Sequence, residues 1–454
     1  MTGAGARRIG AIAAAVLAAA AFAGGARPAQ AGTVYVCTGS APVDEANLQR
    51  LIAAGGSITL QGPNACAGNF VVSNVSLSIT GAGPGAKIDG GGSASIFLLD
   101  DATVTLSNLT LTHGRGSGPD EPDDRAGANG GAVSMTDSAL TVDHCRIVGN
   151  RADDQGGGIH AAESTVTILD STVSDNTSEQ GGGGIDADDD VDLTIARSTF
   201  SGNSTGPHGG GIELFDGTLT VTDSTISGNS VTGGAEFRSG GGIWTGLSAV
   251  ALTRSTVSRN SSTEFGGGIG FSGGPGSSLT LRDSTVSGNR AALGGGGIRN
   301  DAYYGDAPLV VDHSAIVGNV SVEGGGIDDY GIHGFTASVL ITASTVAANR
   351  ASSGLGGGIN SFVDPSGGAT SIATESSTLG ARRGRLNDGN QAFWGGAIAA
   401  NGDNGPSAIS LRAGTVLVAN VARFDGGGVF TRNGAKLIVG PGVRMLLNRP
   451  NNVG

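Results

Sequence analysis

Leu219-Thr220-Val221-Thr222-Asp223-Ser224-Thr225-Ile226-Ser227-Gly228-Asn229 is the stretch that decides the fold. Leu219 and Val221 alternate with Thr220 and Thr222, which is the period of a half-buried strand and not of a helix. The phrase Ser-Thr-(Val/Ile/Phe)-Ser-x-Asn recurs along the chain, with its Asn at Asn150, Asn176, Asn203, Asn229, Asn260, Asn289, Asn319 and Asn349, and less regularly at Asn420 and Asn448. An interval of roughly 26 to 31 residues marks a solenoid of stacked coils.

Each phrase is followed by a short loop, a glycine run such as Gly240-Gly241-Gly242, and one aliphatic residue, as at Ile159, Ile185, Ile212, Ile243, Ile269, Ile298, Ile327 and Ile359. One repeat therefore holds two or three short strands joined by tight bends, too little to bury its own apolar face. Stacking at ~4.8 Å per coil buries it. The expected architecture is all-β, a single-stranded right-handed parallel β-helix with a short N-terminal capping helix. Aliphatics three residues before each Asn (Ile147, Val173, Phe200, Ile226) are expected inside the tube. The Asn side chains are expected to form an internal hydrogen-bonded column.

Phe200-Ser201-Gly202-Asn203, with Gly130-Gly131-Ala132-Val133 and Gly395-Gly396-Ala397-Ile398, resembles the paired FxxN and GGAI motifs of polymorphic outer-membrane-protein repeats. That resemblance runs from about Asn129 to the C-terminus and implies right-handed parallel β-helix coils of the kind found in adhesin passenger regions. No series of ~10-residue alternating membrane strands follows the coils. Residues 32–100 are similar to the opening coils of secreted pectate-lyase-like β-helices.

Three segments are expected: a signal peptide at 1–31, an N-terminal cap with the first coils at 32–100, and the repeats at 101–454. Arg7 and Arg8 give the first segment a positive start, Ile9 to Ala23 an apolar stretch, and Ala29-Gln30-Ala31 a small-residue cleavage site. Val43 to Ile52 reads as a helix with Leu48, Leu51 and Ile52 on one side, ending at Gly55-Gly56. The winding starts at Ser57–Leu60, Val75–Ile79 and Val104–Leu109. Polar excursions are expected between His113 and Asn129 and between Leu379 and Phe393, the latter carrying Arg382, Arg383 and Arg385.

The 454 residues include 84 Gly, with 4% aromatic and 14% charged residues and a formal net charge of −13. That charge argues against nucleic acid or an anionic membrane as partner. No stretch beyond the leader is apolar enough to span a bilayer. Cys37 and Cys66 flank the irregular first segment and are expected to pair in an oxidising compartment. Cys145 occupies the place held elsewhere by Ser171, Ser198, Ser224, Ser255, Ser284, Ser314 and Ser344, and reads as a buried substitute for serine.

Strand alternation then points to where chemistry could sit. If the post-glycine Ile points inward, one outward column is His160, Asp186, Glu213, Trp244, Gly270, Arg299, Asp328 and Asn360, and the next is Ala162, Asp188, Phe215, Gly246, Ser272, Asp301, Tyr330 and Phe362. Asp186, Asp188, Glu213, Phe215 and Trp244 would share one strip, and Arg299, Asp301, Asp328 and Tyr330 another. Aromatic faces beside carboxylates suit an extended sugar polymer, so the expected role is a secreted or cell-surface scaffold that is adhesive or binds polysaccharide or cell-surface glycan. A polysaccharide-degrading enzyme is the alternative. A hydrolase could use Asp186 and Glu213 on adjacent coils. A lyase would need Ca²⁺ on Asp186, Asp188, Asp189, Asp190 or Glu213, but the only basic residue of the columns, Arg299, lies four coils away. No metal-spaced His/Cys cluster, nucleophile elbow or phosphate loop occurs, and no cofactor is expected.

Overall fold

A computed structural model describes residues 32–83, 85–117, 129–233, 239–381 and 388–454. The expected leader lies outside these residues, as do residues 118–128 and 382–387 of the two polar excursions, Arg382, Arg383 and Arg385 included. Within them the chain winds as a parallel β-solenoid. Three long sheets run along it, of 25, 14 and 8 strands, with a two-stranded pairing of Arg115–Gly116 and Arg151–Ala152. The first sheet has the most strands because most coils give it two, such as Ile159–Ala162 and Thr165–Leu169. In mid-tube these merge into single strands, Ile185–Ala196, Ile212–Thr222 and Ile243–Thr253.

The repeated residues stack as their spacing implies. Ile159, Ile185, Ile212 and Ile243 face inward with no exposure, as do Ile147, Val173, Phe200 and Ile226. The Asn side chains form a continuous ladder: the Nδ2 and backbone N–H of Asn203 both donate to Asn229 Oδ1, at 3.0 Å each, while Asn203 Nδ2 also donates to the Val173 carbonyl at 3.0 Å. This pattern runs from Asn150 through Asn176, Asn229, Asn260, Asn289, Asn319 and Asn349 to Asn448. It includes Asn390, which the repeat phrase does not reveal because the preceding excursion stretches that coil. A parallel serine ladder takes in Cys145, whose N–H donates to Ser171 Oγ at 2.9 Å and whose sulfur accepts from Leu109 N at 3.4 Å. Burial pushes the Cys145 thiol up to about 11.

The glycine runs are set by backbone approach. Gly209 has φ +60°, and a Cβ on Gly210 would lie 2.3 Å from the Gly241 carbonyl oxygen of the next coil. A side chain there would force the coils apart.

The helix α1 (Ala41–Ala54) is longer than the stretch expected and covers the first coil with Leu48 and Ile52. Its third buried residue is Asp44, which accepts from Tyr35 OH, the Thr38 N–H and hydroxyl, Gly39 N and Ala67 N at 2.7–3.1 Å. Burial opposes ionisation, but these donors hold the Asp44 carboxyl below the usual range. A Cys37–Cys66 disulfide ties the strand Thr33–Val36 to this cap.

Candidate functional site

Register fixes the two outward columns on the first sheet. His160, Asp186, Glu213, Trp244, Gly270, Arg299, Asp328 and Asn360 are successive Cα partners, and so are Ala162, Asp188, Phe215, Gly246, Ser272, Asp301, Tyr330 and Phe362. The first column is nonetheless almost closed to solvent. Asp186 is 0%, Asp328 3%, Glu213 8% and Trp244 9% exposed.

Walls on both sides cause this. On one side the residue that precedes each glycine run forms its own bridged column, including Gly181, His208, Ser239, Phe265, Gly294 and Glu323. On the other stand the loops that follow the second column, bearing Tyr303, Tyr304, His333 and Asp364. Together they enclose a groove of about 520 Å³ floored by Ser272, Arg299, Asp301 and Tyr330. Gly270 opens its depth, since a Cβ there would lie 2.0 Å from Ser239 Oγ. His208, Phe265, Tyr303, Tyr304, His333 and Asp364 were not singled out in the sequence, because they lie outside the two alternating columns.

An aromatic chain lines the groove. Trp244 stacks with His208 at 4.8 Å and with Phe215 at 6.2 Å. Gly246 permits this, because a Cβ there would sit 2.9 Å from the Phe215 ring. Tyr304 packs edge-on against Phe215 at 5.8 Å and is 41% exposed, which makes it the open aromatic surface, whereas only a fringe of Trp244 reaches the groove. Burial pushes the His208 imidazole down to about 4, against the pull of Glu264 and Asp186, so it is neutral at pH 7, and its Nδ1 has no partner.

Two charged clusters lie along the first column, as its register implies. At one end Asp186 Oδ2 pairs with His160 Nδ1 at 3.0 Å while its Oδ1 lacks a partner. Glu213 Oε2 and Asp186 Oδ1 reach within 2.6 Å and 2.9 Å of the point a Gly181 Cβ would occupy. Burial, then the charges of Asp186 and Asp188, raise the Glu213 carboxyl well above its usual value. Four rungs on, Arg299 is sandwiched between the rings of Tyr330 at 4.0 Å and Phe265 at 4.8 Å. It pairs with Asp328 and reaches Asp301 Oδ2 at 3.5 Å, while Asn360 Nδ2 donates to Asp328 at 2.8 Å. Burial disfavours the Arg299 charge, but Asp328 beside it holds it cationic.

Asp301 and Asp364 share this cavity in contrasting settings. Burial raises the Asp301 carboxyl despite Arg299, and its Oδ1 has no partner. Burial also opposes ionisation of Asp364, but the Tyr330 hydroxyl and the Ser366 N–H, at 2.8 Å, keep its carboxyl low. Among the described residues, the one cluster with metal-ligand spacing is Asp143, His144 and Asp170, outside the groove. There Asp170 already accepts from Arg197 Nε and Nη2 with its two oxygens, at 2.8 and 2.6 Å.

No helix of the described residues is long and apolar enough to cross a membrane. No curated protein matches the chain. Among solved structures, the catalytic unit of a thermostable GH87 alpha-1,3-glucanase from Streptomyces thermodiastaticus is 13% identical, with TM-score 0.45, covering 92% of this chain and 69% of that one. The Dettilon tailspike protein is 15% identical, with TM-score 0.30 and coverages of 89% and 68%. Tailspike protein 3 of bacteriophage CBA120 is 11% identical, with TM-score 0.27 and coverages of 87% and 56%. Residues 77–246 match the family model described as the right handed beta helix region, which gives the hand of the winding.

Proposed function

We propose that the protein is an exported scaffold that binds a neutral polysaccharide along the groove of its first sheet. The observation that carries this reading is an aromatic-walled cavity whose buried polar atoms are unpaired: His208 Nδ1, Arg299 Nε and Asp301 Oδ1 have no partner in the protein. Buried polar groups are ordinarily satisfied, so these are groups awaiting hydroxyls or water. Aromatic rings would take the C–H faces of the sugars and the carboxylates their hydroxyls. The charge balance selects a neutral polymer, because Arg299 is paired with Asp328 while Asp364 adds a negative charge to the cavity. Export is supported by the leader-like residues 1–31 and by the Cys37–Cys66 disulfide, which suits an oxidising compartment.

Affinity electrophoresis against neutral and uronate-rich polysaccharides tests the reading. Retardation by a neutral polymer is expected, and Tyr304→Ala should weaken it about tenfold, the effect of losing ~1.5 kcal/mol of aromatic contact. Retardation by uronates alone, or by none of the polymers, would overturn it.

A further inference from the structure

We propose that the groove also cleaves the glycan it holds, with Asp301 as general acid and Asp364 as general base. This inference rests on the polysaccharide-binding reading above and adds a reaction to it. Both carboxyls line the one cavity, and neither belongs to the Asp186–Glu213 pair, which lies outside it. Their surroundings differ in the direction that the two roles require. Asp301 sits between Arg299 and the tyrosine-bearing loop, largely buried, with one oxygen unpartnered. Asp364 receives two donors, Tyr330 OH and the Ser366 N–H, and both stabilise its ionised form. A pair of carboxyls whose environments differ in this way divides acid from base.

Tyr330 supplies the geometry. It is the rung neighbour of Asp301 on one side and of Phe362 on the other, and it reaches Asp364 through its hydroxyl. The strands leading to the two carboxyls are therefore two rungs apart, on the order of 9.5 Å. Carboxyls reached from strands two rungs apart suit the inverting arrangement, in which a water molecule stands between the base and the sugar. In the reaction, Asp301 gives its proton to the glycosidic oxygen as the bond from that oxygen to the anomeric carbon breaks. Water attacks the anomeric carbon from the opposite face and its proton passes to Asp364. Proton transfer from Asp364 back to Asp301 through solvent restores the starting state, with one water consumed per bond cleaved.

The test uses the secreted protein and a panel of neutral polysaccharides, with binding read by affinity electrophoresis and turnover by new reducing ends. A bound polymer should be cleaved, and Asp301→Asn and Asp364→Asn should each lower turnover on the order of a hundredfold or more. Both variants should keep the thermal unfolding transition of the unsubstituted protein, which shows that the tube has folded, so that the loss is read as turnover and not as unfolding. Proton NMR of the first products should show the anomeric configuration inverted. Binding without cleavage across the panel would sink the catalytic inference and leave the binding reading intact, whereas absence of binding would sink both. Cleavage that survives either substitution, or that retains configuration, would overturn the assignment of this pair.

Discussion

Asp329 lies one position beyond the groove residue Asp328, and strand alternation turns it into the tube instead of outward. Its Oδ1 accepts from Asn300 Nδ2 at 2.8 Å, its Oδ2 has no partner, and its exposure is 0%. Burial, against the Asn300 hydrogen bond, pushes this carboxyl up to about 8. The folded protein therefore carries a neutral Asp329 where the unfolded chain, with a carboxyl near ~3.9, carries an ionised one. Stability from this group is full below about pH 4, falls as pH rises, and is lost once pH passes about 8. Asp329→Asn should flatten that slope, which is bounded at ~1.4 kcal/mol per pH unit, in denaturant melts between pH 5 and 8. Equal slopes for the two proteins would show that the carboxyl is not held neutral. Cys145 offers a second residue-scale test, since a thiol pushed up to about 11 and buried in the serine ladder should resist alkylation of the native protein. Mass spectrometry should find it unlabelled, with Cys37 and Cys66 joined.

Elements in this fold hold together through ladders more than through any single strand, because the strands of the second sheet are mostly three residues long. Asn229 illustrates the dependence. Its Nδ2 donates to Phe200 O at 3.1 Å and to Asn260 Oδ1 at 3.0 Å, so Asn229→Asp removes both donors and sets a carboxylate against a carbonyl oxygen. A loss of about 1–3 kcal/mol is expected in thermal or denaturant unfolding, the cost of leaving buried acceptors unpaired. An unchanged melting curve would mean that the ladder is incidental. The cap should show its own dependence. Replacing Cys37 and Cys66 by serine removes a cross-link of 29-residue separation, and a loss of ~3 kcal/mol is expected. Hydrogen exchange should place that loss in α1 and the first coils, since each coil of a solenoid contacts only its neighbours.

Across the whole molecule, the repeat made most of the architecture readable. The period-two alternation, the Asn interval and the glycine runs are local signals, and each encodes the same stacked coil. They determined the tube, its inward columns, the serine role of Cys145 and the alignment of the outward columns, because in a solenoid sequence spacing is spatial position. Asn390 is the exception in the Asn ladder, because its coil is interrupted and the repeat phrase is lost there. Tertiary structure decided whether those outward columns are surface or floor. The walls are built from residues that do not repeat: His208 and Phe265 before the glycine runs, and Tyr303, Tyr304, His333 and Asp364 in loops of unequal length. Loop sequence carries no period, so neither its direction nor the burial it imposes on Trp244 can be read from the chain. The contrast between Asp301 and Asp364 has the same origin. Both are aspartates in the sequence, and only the packing around each, with Arg299 and buried surroundings at one and Tyr330 and Ser366 at the other, separates their chemistry.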